Sequence, residues 1–190
     1  EVPFTVQAPL GEWSDPRQED GCEEAVALMA VSWARGSSLT PTGALREILA
    51  ISAYEEKNYG TSQDTSAYDT VERIFKGYFK YHQSEARENI SLSGIRDEIR
   101  QGNLVILPVN GQKLKNPYYK PPGPERHMLL LIGYDEKTKE FITNDAGTKR
   151  GKSYRYPEKT VWQAIRDYPT GNREPIIGEK KATIVVRRSE

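Results

Sequence analysis

Asp20-Gly21-Cys22-Glu23-Glu24-Ala25-Val26-Ala27-Leu28-Met29-Ala30-Val31 contains the only cysteine of the chain and leads it into a long apolar run. From Cys22 to about Arg35 the residues are apolar on nearly every side, which predicts a helix sunk in the core rather than one lying on its surface. Gly36 is placed to end it. Asp20 can act as N-cap and Glu23, three residues on, can reach back to close a capping box, so Cys22 falls in the first helical turn. Unpaired backbone N–H groups and the positive end of the helix dipole favour a thiolate there, the reactive form of cysteine. A lone cysteine is more commonly a small packed hydrophobe, so Cys22 needs partners before it counts as a nucleophile. Glu23 and Glu24 oppose activation, because nearby carboxylates raise a thiol pKa unless their side chains turn away into solvent.

Outward from this segment, the first twenty residues carry several prolines and no sustained period and read as an ordered loop. Thr40-Pro41 opens a second helix with Ala44, Leu45, Ile48, Leu49 and Ser52 on one face. A third helix is expected around Val71, Ile74, Phe75, Tyr78 and Phe79, and a short fourth from Ser91 to Arg100. Strands dominate from residue 103: Leu104–Val109, Met128–Tyr134, Glu140–Asn144, the region of Tyr154–Tyr156, and Ala182–Val186, with one more helix between Glu158 and Asp167. Helices first and a largely antiparallel sheet afterwards is the α+β pattern, expected here as one domain spanning 1–190.

His127 opens the strand that ends in Asp135-Glu136-Lys137-Thr138-Lys139, a polar turn that returns as Glu140 to Asn144, so a hairpin is predicted. Folding the chain about residue 136 or 137 brings His127 opposite residues 145 to 147. Asp145 can then hold the imidazole in one tautomer. Asn144 is its rival, because neighbouring strand residues face opposite sides: an odd loop length puts Asp145 on the face of His127 and an even length puts Asn144 there. The charged partner is preferred, since it stabilises an imidazolium more strongly. His82, in Lys80-Tyr81-His82-Gln83, reads as an ordinary solvated histidine. A thiol at a helix start, a downstream histidine and an acid on the paired strand suit covalent acyl transfer. The oxyanion needs the Cys22 N–H and a side-chain amide, for which Gln7 and Gln18 both qualify. The proline-rich loop 111–126, with Tyr118 and Tyr119, reads either as a surface crossover of extended character or as the wall of a substrate groove.

At these residues the sequence resembles the bacteriocin-processing (double-glycine) peptidase-like family of papain-like cysteine peptidases. The resemblance rests on Val2-Pro3-Phe4-Thr5-Val6-Gln7-Ala8-Pro9, on Gly21-Cys22-Glu23 opening an Ala- and Met-containing helix, on His127 before a Leu/Ile strand ending Gly133-Tyr134-Asp135, and on Asn144-Asp145-Ala146-Gly147-Thr148. It implies a papain-like fold, with the nucleophile helix packed on an antiparallel sheet, in a bacterial protein. It also implies a thiol peptidase with Cys22, His127 and Asp145 as triad and Gln7 as the oxyanion amide. The segment from Leu10 to Asp20 is longer than the family usually has, which keeps Gln18 in play, and Cys22-Glu23-Glu24 replaces the commoner Cys-Gly-Pro. Two other activities fit the same residues: a papain-like module that binds peptide or cell wall without turnover, and an amidase or acyl transferase on cell-wall or isopeptide substrates.

Composition bounds these readings. In 190 residues with 36% apolar content there is material for one ordinary core. Lys plus Arg and Asp plus Glu each total 27, so no basic field favours nucleic acid or an anionic membrane. No stretch approaches the roughly 20 apolar residues of a membrane span. One cysteine and two histidines make a poor set of soft metal ligands and exclude an internal disulfide, so neither cofactor nor metal is expected. The expected partner is a peptide or protein substrate, and the expected state a monomer. The sequence starts at Glu1 rather than at a methionine; if an upstream signal segment has been removed, the protein belongs outside the cell or in its envelope.

Overall fold

In a computed structural model, which describes residues 1–188, one six-stranded antiparallel sheet is covered by helices on both faces. Ser189 and Glu190, the last two residues of the expected domain, lie outside the described residues. A short helix α1 (Pro16–Glu19), capped by Asp15, interrupts the N-terminal loop and leads into α2 (Cys22–Ala34). Then come α3 (Pro41–Tyr59), with the Thr40 hydroxyl accepting from Gly43 N–H, and α4 (Ala67–Asp69), which runs on as a π-helix over Thr70–Tyr78. The remaining elements are β1 (Ser84–Glu88), α5 (Leu92–Arg100), β2 (Leu104–Val109), α6 (Gly111–Leu114), β3 (His127–Asp135), β4 (Glu140–Asn144), β5 (Tyr154–Pro157), α7 (Glu158–Ala164) and β6 (Ala182–Val186). The strand order is β1-β6-β2-β3-β4-β5.

The α+β architecture and the buried central helix that Cys22 opens follow the sequence pattern. Twelve of the thirteen residues of α2 are buried, as an all-round apolar helix requires, between the sheet on one side and α3 with the π-helix on the other. Met128, Leu130, Ile106 and Ile184 point to the α2 side, whereas Leu129, Leu131, Val105 and Leu107 point to the opposite side with Ile95 of α5 and Val161 of α7. Burial on both faces explains why β2 and β3 are continuous apolar runs instead of alternating ones.

Several local expectations are corrected. The N-cap of α2 is Gly21, without a side-chain cap; Asp20 accepts from Gln63 Nε2 and Glu23 is turned inward, so the capping box does not form. A Cβ at Gly21 would lie 2.6 Å from the Arg17 carbonyl oxygen, so the tight joint between α1 and α2 requires glycine. The helix through Val71, Ile74 and Phe75 is wider than an α-helix, and Phe79 N–H reaches the Ile74 carbonyl five residues back. The strand Ser84-Glu85-Ala86-Arg87-Glu88 carries too few apolar residues for a periodicity argument to find, because it is the sheet edge. Finally, the β3–β4 turn leaves four residues between Asp135 and Glu140, an even length that pairs Tyr134 with Phe141 and Gly133 with Ile142; a bulge between Leu131 and Gly133 then shifts the register, so that Leu131 faces Thr143 and Leu130 faces Asn144.

Candidate active site

The bulge at Ile132 decides which side chain reaches His127. The turn alone would align Asn144 with Leu131 and hence with the His127 face of the strand. One residue skipped in β3 aligns Asn144 with Leu130 instead, on the α2 face, and the next residue, Asp145, turns to the His127 side. His127 Nε2 lies 2.9 Å from Asp145 Oδ1, and both side chains are essentially fully buried. Asn144 is engaged elsewhere. Its amide nitrogen donates to the Pro3 carbonyl and its oxygen accepts from Ser153 N–H, which ties the N-terminal strap to the end of β4.

Sequence reasoning missed what surrounds Asp145. Tyr119 and Tyr156 each donate a hydroxyl to Oδ2 at 2.6 Å, Asn116 Nδ2 reaches the same oxygen at 3.4 Å, and Gly147 N–H donates to Oδ1. Burial pulls this carboxyl up, but the charge of His127 and the hydrogen bonds from His127, Tyr119 and Tyr156 outweigh it and hold the group below the usual aspartate range. Burial next to the Asp145 charge pushes both tyrosines up, so they remain donors. The positions are fixed by close backbone packing: a Cβ at Gly151 would lie 1.9 Å from the Asp145 carbonyl oxygen, and one at Gly147 would crowd Tyr119 and His127. Tyr119, expected as part of a groove wall, therefore also anchors the acid, whereas its neighbour Tyr118 is exposed. No periodicity signals such contacts, because the donors come from the loop before β3, from β5 and from the turn after Asp145.

Cys22, His127 and Gln7 line one cleft of about 810 Å³, together with Trp13, Glu19, Asp20, Asp64 and the loop from Tyr118 to Arg126. Cys22 begins α2, and its sulfur is hydrogen-bonded to Glu23 Oε2 rather than to His127. Gln7 Nε2 donates to the Glu19 carbonyl at 2.5 Å, and its backbone N–H is held by Ala146. One amide proton is thereby used and a second remains. Gln18 is buried, but its amide faces Asp15 and it does not line the cleft. His82 is exposed and does not line the cleft, and it has no side-chain partner among the described residues.

Glu23 and Glu24 do not face solvent; both are essentially buried. Cys22 Sγ lies 3.0 Å from Glu23 Oε2, and Tyr168 donates its hydroxyl to Glu23 Oε1 at 2.8 Å. Burial pushes the Cys22 thiol well up, and the charge of Glu23 and the thiol's hydrogen bond to it push further in the same direction. Burial lifts Glu23 to about 7, although the bonds from Cys22 and Tyr168 oppose the rise. Behind it, Glu24 is raised by burial and by the charges of Glu55 and Glu23, and Glu55 is pushed up to about 8 by burial and Glu23. Neither oxygen of Glu55 has a hydrogen-bond partner.

Among the described residues no set of three or more His, Cys, Asp or Glu side chains is arranged to hold a metal ion, and no helix is long and apolar enough to cross a membrane. A model of the Peptidase_C39 like family matches residues 1–170. A crystal structure from Bacillus anthracis, of a protein described as a C39-like peptidase, superposes with a TM-score of 0.62 at 16% identity, covering 100% of this chain and 96% of that one; at this identity the likeness is one of fold. No curated protein matches the sequence.

Proposed function

The chain belongs to the Peptidase_C39-like family, and from that premise we propose that it is a cysteine peptidase acting through Cys22, His127 and Asp145. The observation that carries the reading is the 2.9 Å contact between His127 Nε2 and Asp145 Oδ1 beside a cleft that Cys22 also lines. With Nε2 held by the acid, Nδ1 is the ring nitrogen left for the thiol.

Cys22 attacks the carbonyl carbon of the scissile amide and its proton passes to His127. The tetrahedral oxyanion is met by the Cys22 backbone N–H and the second amide proton of Gln7. His127 then gives its proton to the leaving amine, and an acyl-enzyme remains that a water molecule, deprotonated by His127, hydrolyses. Asp145 keeps the imidazole in the tautomer this sequence needs and stabilises its charged form. Stoichiometric alkylation by iodoacetamide and hydrolysis of a peptide substrate test the reading together. Cys22→Ala and His127→Ala should each abolish hydrolysis with the fold retained, while His82→Ala changes little. Full hydrolysis by Cys22→Ala ends the proposal.

One observation favours a second reading, a peptide-binding module without turnover. The resting thiol is bonded to a carboxylate and pushed toward its neutral form. An alkylation rate no faster than that of a free thiol, with no plateau in its pH profile near neutrality, decides for the module.

A further inference from the structure

The cleft is lined by charged residues of both signs, Glu125, Arg126 and Arg173 among them. Glu19 and Asp20 precede Cys22 in the chain, Asp64 is already met by the Arg126 guanidinium at 3.5 Å and by Arg173 N–H at 3.0 Å, and Glu125 is met by Arg126 and Arg166. On the His127 side stand three cations, Lys120 from the loop before β3 and Lys149 and Arg150 from the turn after Asp145. All three are exposed, and none has an ion-pair partner among the described residues. The chain as a whole is neutral, so this is a local feature and not the trace of a basic protein.

The Arg150 end of this cationic set is held in place. The Arg150 guanidinium lies over the Tyr118 ring, 4.8 Å from its centroid, and Tyr118 packs edge-on against Tyr154. Thr148 Oγ1 accepts from Arg150 N–H and fixes the turn that presents both basic residues. This turn is joined to the site through Asp145, whose N–H donates to the Gly151 carbonyl, and through Gly147, whose N–H donates to Asp145 Oδ1. The backbone that carries Lys149 and Arg150 therefore stands at a fixed place relative to His127. The imidazole hands its proton to the leaving amine, so the wall beside it faces the half of the substrate that departs.

We propose that Lys120, Lys149 and Arg150 form a subsite for acidic side chains, and that the substrate is an extended peptide with Asp or Glu residues on the C-terminal side of the cleaved bond. The assignment rests on the peptidase reading for its direction, but the charge preference itself does not need turnover. Each exposed pairing is worth little alone, and a peptide that engages several at once gains on the order of tenfold in affinity.

The test uses the Cys22→Ala chain and fluorescently labelled peptides of one length, with Asp/Glu, Asn/Gln or Lys in the same block, read by anisotropy. The acidic peptide should bind about tenfold more tightly than the amide peptide, the gap should shrink as salt is raised, and Lys149→Glu with Arg150→Glu should turn the preference toward the Lys peptide. Equal binding of the three peptides, or an acidic preference that survives the double substitution, overturns the proposal. With the wild-type chain, cleavage should fall on the N-terminal side of the acidic block, and cleavage on its C-terminal side also overturns it. If no peptide is cleaved while the charge-dependent binding persists, the peptidase reading fails and the subsite stands.

Discussion

Cys22 Sγ and Glu23 Oε2 are 3.0 Å apart at the start of one helix, and the thiol is the donor. A carboxylate in this place keeps the proton on sulfur, both through its charge and by accepting the S–H. Glu23→Gln keeps the shape and the Tyr168 hydrogen bond, removes the charge and offers an amide N–H to the sulfur. The thiol pKa should fall, and each unit of fall raises the thiolate fraction about tenfold at a pH below that pKa. The expected outcome is iodoacetamide alkylation of Cys22 at neutral pH at least about tenfold faster than in the wild-type chain. An unchanged or slower rate would mean that Glu23 does not control the nucleophile.

Asp145 and Asn144 are separated by the same kind of substitution. Asp145→Asn leaves four donors facing an amide that can accept on one atom only, and it removes the charge paired with an imidazolium. Turnover should drop by about 10²–10⁴ if Asp145 orients the imidazole of His127. Asn144→Ala should lower the melting temperature, through loss of its bonds to Pro3 and Ser153, but leave kcat within about threefold, because its side chain belongs to the opposite face. The reverse ranking in kcat would exchange their roles.

The two glutamines give a third comparison. Gln7 lines the cleft with an amide proton to spare, and Gln18 is turned to Asp15. Gln7→Ala should cost roughly 10²–10³-fold in kcat, and Gln18→Ala should act on stability alone. Equal losses in kcat would show that the distinction drawn from their placement is wrong.

Stability should depend on pH through the buried acids. Glu23, Glu24 and Glu55 all have folded pKa values above the unfolded one, with Glu23 near 7 and Glu55 near 8, so the folded chain binds protons more tightly than the unfolded chain. Their contribution is fully present below the unfolded value of about 4.3 and is lost as pH rises through 7 to 8. Asp145, shifted the other way, contributes above its unfolded value and loses that contribution only at acid pH, so it does not mask the trend. Melting temperature should therefore fall between pH 5 and 8, and Glu55→Gln should flatten the fall. A melting temperature that rises over this range contradicts the burial of ionisable acid.

The buried α2, the Thr40 cap of α3, the short helix α5 and the apolar runs of β2, β3 and β6 were legible in sequence, since each is a local pattern of apolar period and terminal residues. The edge strand Ser84–Glu88 and the π-helix were not, because one is too polar for its period to register and the other changes the period itself. The hydroxyls of Tyr119 and Tyr156 on Asp145 were equally invisible, since contacts between distant segments leave no mark in spacing.

By itself the sequence determined the α+β class, the helix that Cys22 opens, the hairpin that His127 begins, and the short list from which the imidazole's partner must come. Apolar period, turn residues and chain order are enough for that, because they act over a few residues. Only the tertiary structure decided between Asp145 and Asn144, through a one-residue bulge in β3 that reverses the parity of the turn, and only it turned Glu23 and Glu24 inward. Strand parity depends on every residue paired between the turn and the site, and burial of a carboxylate depends on what closes over it, here Tyr168 from a segment 145 residues away.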